Sequence, residues 1–254
     1  MPSHDSFEKL VADAMAQPFS GWDFSCLKGR WQSGSLPWDY RSIVSERKAQ
    51  AAAMLDFGTG GGEFLASLAP FPAVTWAAEG YPPNIEVARK RLAPLGVQVV
   101  GLVGSDSPPL PFADGTFDLV IDRHEGYRAR EIFRLLRPGG RFVTQQVGGE
   151  NCLEINRALQ ETPSAPYSFW TMDYEVTQLL AAGFQIEQAR QAFPPLAFYD
   201  IGALVFYLKV VPWQIEDFSV DRYHAKLLRI HQTIEEQGQF VVPEHRILIE
   251  AVRI

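Results

Sequence analysis

The residues best suited to chemistry begin at Asp56, which directly follows a short apolar stretch, residues 51–55. Gly58, Gly60 and Gly61 come next, and residues 63–69 have the spacing of a helix. This order predicts a strand, a glycine turn and a helix. Such a turn at the carboxyl end of a strand lets a ligand approach the backbone where a Cβ would clash, and open α/β sheets bind nucleotides at turns of this kind. The pattern therefore predicts a ligand site at this turn.

Two common nucleotide motifs do not fit the turn. A dinucleotide fingerprint needs glycine at position 63, where this chain has Glu63. A carboxylate at the helix start also competes with a pyrophosphate for the positive helix end. A P-loop is excluded because no Gly-Lys-Ser/Thr follows. The turn instead suits a nucleoside ligand that carries no phosphates.

Residues 56–62, Asp-Phe-Gly-Thr-Gly-Gly-Gly, resemble motif I of the class I methyltransferases that use S-adenosylmethionine (SAM). Four later features resemble further motifs of that family: Glu79, Asp106, residues 114–125 and Leu-Arg-Pro-Gly-Gly at 136–140. Together the five motifs cover residues 52–147, and their joint spacing is specific. The chain is therefore identified as a member of the class I SAM-dependent methyltransferases of the small-molecule type.

The resemblance implies that SAM, and its product S-adenosylhomocysteine (SAH), bind across the carboxyl ends of the first three strands. Glu79 would accept the ribose hydroxyls, and Asp106 the adenine amino group, although an Asx turn explains Asp106 as well. The implied cofactor residues of this sheet edge are Asp56, Gly58, Thr59, Gly60, Glu79, Gly80, Asp106, Ser107 and, through its backbone, Arg123.

In this fold the carboxyl end of the fourth strand faces the methyl group, and here it carries Asp122-Arg123-His124-Glu125. His124 is the candidate catalytic base because its unperturbed pKa lies near neutrality. A hydrogen bond to loop backbone is the alternative role for His124, and Glu125 is a second candidate base. The Asn/Asp-Pro-Pro-Tyr/Phe tetrapeptide of nucleobase-amino and glutamine methyltransferases is absent, which argues against those acceptors.

Residues 18–41 are rich in aromatic side chains and could form a lid. Trp38 and Tyr40 could close over the methionine part of SAM, since an aromatic face attracts a sulfonium. Arg30 could pair with the cofactor carboxylate. Hydrophobic docking of the N-terminal segment explains these residues equally well.

The alternation of strand and helix patterns predicts an α/β fold: a doubly wound, mostly parallel seven-stranded sheet of the Rossmann-like methyltransferase type with a reversed C-terminal strand. Strands are predicted at 52–56, 74–79, 97–103, 117–122, 141–147, 184–189 and 246–254, and helices at 5–17, 83–95, 128–136, 173–182 and 221–237.

We expect an N-terminal helix and aromatic lid over residues 1–41 and a methyltransferase domain over 42–254. Within that domain, residues 148–240 would include the insertions that build the acceptor pocket. Aromatic residues that could line this pocket, or pack in a core, are Tyr199, Phe206, Tyr207 and Trp213.

Composition fits a soluble protein, with 46% hydrophobic and 21% charged residues among 254. The net charge of −7 argues against a nucleic-acid acceptor. With neither a signal peptide nor a long apolar run, we expect a cytoplasmic protein without a membrane partner. No metal is expected, because His224 and His231 lack acidic or thiol partners at ligand spacing. The oligomeric state is left open.

The sequence thus favours methyl transfer from SAM to an oxygen, nitrogen or carbon of a small molecule by in-line displacement. An rRNA or tRNA methyltransferase and a SAM-binding sensor without catalysis remain alternatives. A nicotinamide oxidoreductase is disfavoured by Glu63.

Overall fold

The structure is a computed structural model that describes residues 4–19, 24–102 and 109–254. Asp106 and Ser107 lie outside the described residues. The helices are α1 His4–Ala16, α2 Tyr40–Lys48, α3 Glu63–Ala66, α4 Pro82–Leu92, α5 Ala129–Leu135, α6 Leu153–Leu159, α7 Met172–Ala182, α8 Ile201–Val210 and α9 Val220–Gln237. The strands are β1 Trp31–Ser33, β2 Ala53–Phe57, β3 Val74–Glu79, β4 Gln98–Gly101, β5 Phe117–Arg123, β6 Leu136–Val147, β7 Phe184–Ala192, β8 Pro195–Phe198, β9 Phe240–Pro243 and β10 Arg246–Arg253.

The chain forms two compact units, each built from separate segments. The large-sheet unit comprises Pro37–Gly148, Trp170–Gln191 and Arg246–Ile254. The small-sheet unit comprises Met1–Leu36, Gly149–Phe169 and Ala192–His245. The division at residue 41 remains a prediction.

The large-sheet unit is organised around seven strands in the order β4-β3-β2-β5-β6-β10-β7. The pairs β4–β3, β3–β2, β2–β5 and β5–β6 are parallel, whereas β10 runs antiparallel to β6. The carboxyl ends of β2, β3 and β5 therefore meet at one edge of the sheet. The predicted doubly wound sheet with a reversed C-terminal strand is confirmed.

Both faces of this sheet are covered, which explains the nearly continuous apolar strands. Successive residues alternate between two cores: Leu55 and Val120 belong to one, Met54 and Leu119 to the other. Helices α5 and α7 contribute Ile132 and Leu179 to the first core, and helices α2 to α4 contribute side chains to the second.

The small-sheet unit contains a three-stranded antiparallel sheet in the order β1-β8-β9 together with α1, α6, α8 and α9. Helix α8 is apolar on all sides, and nine of its ten residues are buried. Asp200 caps this helix by accepting from the Ala203 N–H at 2.9 Å. Phe206 and Tyr207 pack in the core of this unit, whereas Tyr199 and Trp213 are exposed.

The sequence did not reveal β1, β8, β9 or α6. Each of these strands has three or four residues, and α6 has seven. A periodic pattern of side chains cannot be recognised over so few positions. No described helix combines the length and the apolar character needed to cross a membrane.

Candidate active site

The glycine turn after β2 is held by the neighbouring strand β3. The backbone N–H groups of Gly58 and Thr59 both donate to the Ala78 carbonyl, at 2.9 and 3.0 Å. Gly58 and Gly60 have φ of 72° and 61°, a region that favours glycine. Apart from Gly60 itself and its two chain neighbours, no described residue has an atom within 4 Å of the position that a Cβ on Gly60 would take. The turn therefore offers open backbone at Gly60, as a ligand site requires.

Glu79 is buried at the carboxyl end of β3, with 4% of its surface exposed. One carboxylate oxygen accepts from the Gly60 N–H at 2.6 Å, and the other accepts from the Tyr81 N–H at 2.7 Å. These two bonds fix the carboxylate against the turn. Each oxygen keeps a further lone pair, so Glu79 can still accept two hydroxyl groups. Gly80, beside it, has open space at its Cβ position.

Glu125 lies against Gly58 from the loop after β5. A Cβ on Gly58 would lie 2.3 Å from the Glu125 Cβ, so any side chain at position 58 would displace Glu125. Burial and the charge of Glu79 raise the pKa of the Glu125 carboxyl. Glu125 is thus placed between the glycine turn and the end of β5, next to a second carboxylate.

Two aspartates are buried beneath this edge. Burial raises the pKa of Asp56 to about 7, and the Glu79 charge adds to the increase. Asp122 is fully buried, and its Oδ1 accepts from the Glu125 N–H and Gln146 Nε2, both at 3.1 Å. Its Oδ2 has no hydrogen-bond partner in the part of the chain that the structure describes. Burial and the charges of Glu125 and Asp56 raise the pKa of Asp122 well above its usual range.

Asp56→Asn is expected to change how stability depends on pH. The folded pKa of Asp56, about 7, lies above the ordinary value of 3.8, so the folded state binds more protons between these values and stability falls as pH rises through this window. The variant loses this contribution. Its free energy of unfolding relative to wild type should therefore increase from pH 5 to pH 8 in urea titrations. Asp173→Asn, at an exposed position of α7, is the control. A constant difference across this range would contradict the assignment.

The side chain of Arg123 packs over an aromatic ring. Its guanidinium carbon lies 4.4 Å from the centre of the Phe64 ring, a cation–π arrangement. Tyr40 lies beside the same ring, with 5.4 Å between ring centres, and its hydroxyl donates to the Asp122 carbonyl at 2.9 Å. Tyr40 is therefore a buried anchor for the end of β5.

His124 follows β5 and has a φ of 71°. Its backbone N–H donates to the Gln145 carbonyl at 2.9 Å, and its ring Nε2 lies 3.2 Å from Gln145 Nε2. Gln145 Oε1 accepts from the Trp38 indole N–H at 2.8 Å. His124 is exposed at the surface of the protein. Neighbouring groups still remove part of the water around the ring, and this desolvation, with the positive charges of Arg246 and Arg123, lowers the pKa of His124 to about 3. A histidine in this setting is neutral and a weak base.

Gln145 and Gln146 were missed by the sequence analysis. Both are buried at the carboxyl end of β6. Gln146 Nε2 lies within hydrogen-bond distance of Asp122 Oδ1, the Glu125 carbonyl and Thr144 Oγ1, at 3.1, 3.0 and 2.8 Å. Two consecutive glutamines at the end of a predicted strand were the available signal, because buried amides need partners.

The comparisons with known proteins agree with this architecture. Residues 55–144 match the family model described as "Methyltransferase domain". A demethylmenaquinone methyltransferase from Thermus thermophilus is 32% identical over 119 residues, which are 42% of this chain and 53% of the relative. The chain thus spans about half the length of that relative. One from Roseiflexus castenholzii is 24% identical over 77% of this chain and 83% of the relative.

A solved structure of a proposed methyltransferase from Bacillus halodurans C-125 superposes with a TM-score of 0.58. It is 20% identical and covers 84% of this chain and 96% of its own. At that identity the likeness concerns the fold. This chain carries a class I methyltransferase domain. The predicted family is thereby confirmed, and residues 55–144 include the glycine turn, Glu79 and the end of β5.

The residues of the methyltransferase domain fit the cofactor that such domains use. The turn leaves a Cβ-sized opening at Gly60, and Glu79 keeps free acceptor capacity beside it. SAM carries positive charge at its sulfonium and its ammonium group, and the negative charge of Glu79 acts on the carboxyl groups of both Asp56 and Glu125. An acidic, open edge of this kind is complementary to a cationic nucleoside.

Arg30, the predicted partner of the cofactor carboxylate, lies outside residues 55–144, and so do His224 and His231, for which no metal role was expected. Arg30 belongs to the small-sheet unit, where its Nε and Nη2 donate to the Asp200 carboxylate at 2.8 and 2.5 Å. His224 Nε2 lies 2.9 Å from a Glu8 oxygen, and His231, on the same helix, is buried against Phe7. Among the described residues, no group of three or more His, Cys, Asp or Glu side chains could hold a metal ion.

Proposed function

We propose that this protein transfers a methyl group from SAM to a small-molecule acceptor. The observation that carries the proposal is the pairing of open backbone at Gly60 with the Glu79 carboxylate that its own N–H holds in place. A nucleoside without phosphates needs both features, the first for close approach and the second for its ribose hydroxyls.

In this proposal Gly58, Thr59 and Gly60 shape the turn, while Glu79 and Gly80 hold the ribose. Asp106 and Ser107 remain proposed adenine contacts. Asp56 supports the turn from the end of β2, and Arg123 lines the cofactor with its backbone. SAM supplies a methyl group bound to a positively charged sulfur. The protein's task is then to align the acceptor with that methyl group and to exclude water.

The proposed acceptor is a small molecule rather than a nucleic acid. The net charge of −7 and the carboxylates at the sheet edge repel phosphates. Two relatives are named for methylation of demethylmenaquinone, a small molecule. These names leave the acceptor of this protein to experiment, because one fold supports many acceptors.

The test uses SAM labelled in its methyl group, the purified protein and an extract of the cells that naturally contain it, fractionated by size. We expect label in the small-molecule fraction, where mass spectrometry can identify the product. Label in RNA or protein would overturn the proposed acceptor class. SAH binding without label in any fraction would instead support a non-catalytic sensor.

A further inference from the structure

Three side chains of the large-sheet unit form a hydrogen-bonded row next to the proposed site: Trp38, Gln145 and His124. Trp38 Nε1 is 2.8 Å from Gln145 Oε1, and Gln145 Nε2 is 3.2 Å from His124 Nε2. Gln145 is 7% exposed, so bulk water competes little for its amide. The row connects Trp38, which precedes α2, with His124, which follows β5.

The polarity of this row is set by chemistry. An indole N–H can only donate, so the Gln145 atom that faces Trp38 must be the carbonyl oxygen. The Gln145 NH₂ therefore faces His124 and needs an acceptor there. His124 Nε2 must then carry a lone pair, and the proton of the neutral ring resides on Nδ1.

The same row opposes protonation of the ring. An imidazolium would place an Nε2–H against the Gln145 NH₂, so that two donors face each other. Rotating the Gln145 amide by a half-turn would relieve this contact but would set its NH₂ against the Trp38 N–H. Either arrangement loses one hydrogen bond in a partly buried place, where water replaces the lost bond only in part.

We propose that Gln145 is a positioning residue that keeps His124 in the Nδ1–H form, so that His124 donates a hydrogen bond to an oxygen of the acceptor instead of removing its proton. This inference rests on the proposed function. It assigns the acceptor to molecules whose reacting group enters as an oxyanion, such as a phenolate or an enolate. A neutral N–H donor orients and stabilises such an oxygen, and no base is then needed.

The pKa of His124, lowered to about 3, agrees with this role. Glu125 is the acid that shares the loop, and it faces Gly58 and Glu79. Arg123 and Arg246 are the basic groups whose charges act on the ring. The positive charges of Arg123 and Arg246 favour a neutral imidazole. The carboxylate of Glu125, whose own pKa is raised, does not.

The test is a nitrogen–proton correlation spectrum of the full chain with ¹⁵N-labelled histidine, which distinguishes the two neutral tautomers and the imidazolium. His124→Asn assigns the signal among the five histidines. In wild type we expect the Nδ1–H form from pH 6 to 8. In Gln145→Glu a carboxylate can accept from both Trp38 and an Nε2–H, so we expect a change to the Nε2–H or doubly protonated form.

Trp38→Phe is the second variant, because it keeps an aromatic ring and removes only the N–H that orients Gln145. We expect a mixture of the two tautomers there, whereas the His224 signal should stay unchanged in both variants. An Nε2–H form in wild type would overturn the proposal, and so would an unchanged His124 signal in folded Gln145→Glu and Trp38→Phe. SAH binding by the same samples, measured by calorimetry, tests the cofactor site separately. A failure of the proposed methyl transfer from SAM can therefore be distinguished from a failure of the role proposed for Gln145.

Discussion

Replacement of Gly60 by alanine is expected to weaken SAH binding at least ~100-fold, which corresponds to ~2.8 kcal/mol. The position of the new Cβ is open in the protein itself, because no described residue other than the two chain neighbours has an atom within 4 Å of it. The methyl group would therefore occupy ligand space rather than clash with neighbouring residues. Isothermal calorimetry with SAH measures the effect.

Gly96→Ala is the matched control for this experiment. Gly96 has a φ of 78° and also an open Cβ position, but it precedes β4 at the opposite end of the parallel strands. Both variants should lose about 1–2 kcal/mol of free energy of unfolding, because alanine is disfavoured in the left-handed backbone conformation. Only Gly60→Ala should lose SAH affinity. Equal SAH affinities in the two variants would remove the glycine turn from the proposed site.

Glu79→Ala is expected to lower SAH affinity by about 10- to 100-fold, or ~1–3 kcal/mol. The substitution removes the acceptor proposed for the ribose hydroxyls. It also leaves the Gly60 and Tyr81 N–H groups without the carboxylate that they share. The turn should therefore become less ordered as well as less complementary. Fluorescence or calorimetric titration with SAH measures the loss.

Glu63→Ala is the control for the loss of a negative charge near the turn. Glu63 begins α3, its side chain is 65% exposed, and it pairs with Arg91. An exposed ion pair contributes about 0–1 kcal/mol, so SAH affinity should change less than about fivefold. Wild-type affinity in a folded Glu79→Ala protein would contradict the ribose role, and a large loss in Glu63→Ala would show that net charge is what matters.

The order of elements in the large-sheet unit could be predicted because its central strands, β2 and β5, are buried on both faces. Burial on two faces makes the apolar runs continuous, and the eleven-residue helices α4 and α7 each show a single apolar face. Predicted strand 74–79 agrees with β3 at both ends, and helix 173–182 differs from α7 by one residue.

The small-sheet unit could not be predicted in the same way. Its three strands come from distant parts of the chain: β1 near residue 32, β8 near 196 and β9 near 242. Each is too short to show a period, and each forms its antiparallel pairing with strands that lie far away in the chain. Pairing between such segments depends on tertiary packing, which a local pattern does not contain.

The sequence by itself determined the family, the glycine turn and the acid at the end of β3, because these depend on residue types at short spacing. Tertiary structure decided which groups surround His124. The pairing of β5 with β6 places Arg123 opposite Gln145. Trp38, just before α2, donates a hydrogen bond to the side-chain amide of Gln145 and so orients it. The side chain that looks most like a base from its ordinary pKa is placed beside Gln145, 21 residues away in the chain, and through it beside Trp38, 86 residues away. Hydrogen-bond polarity between such distant residues arises only when the chain is folded.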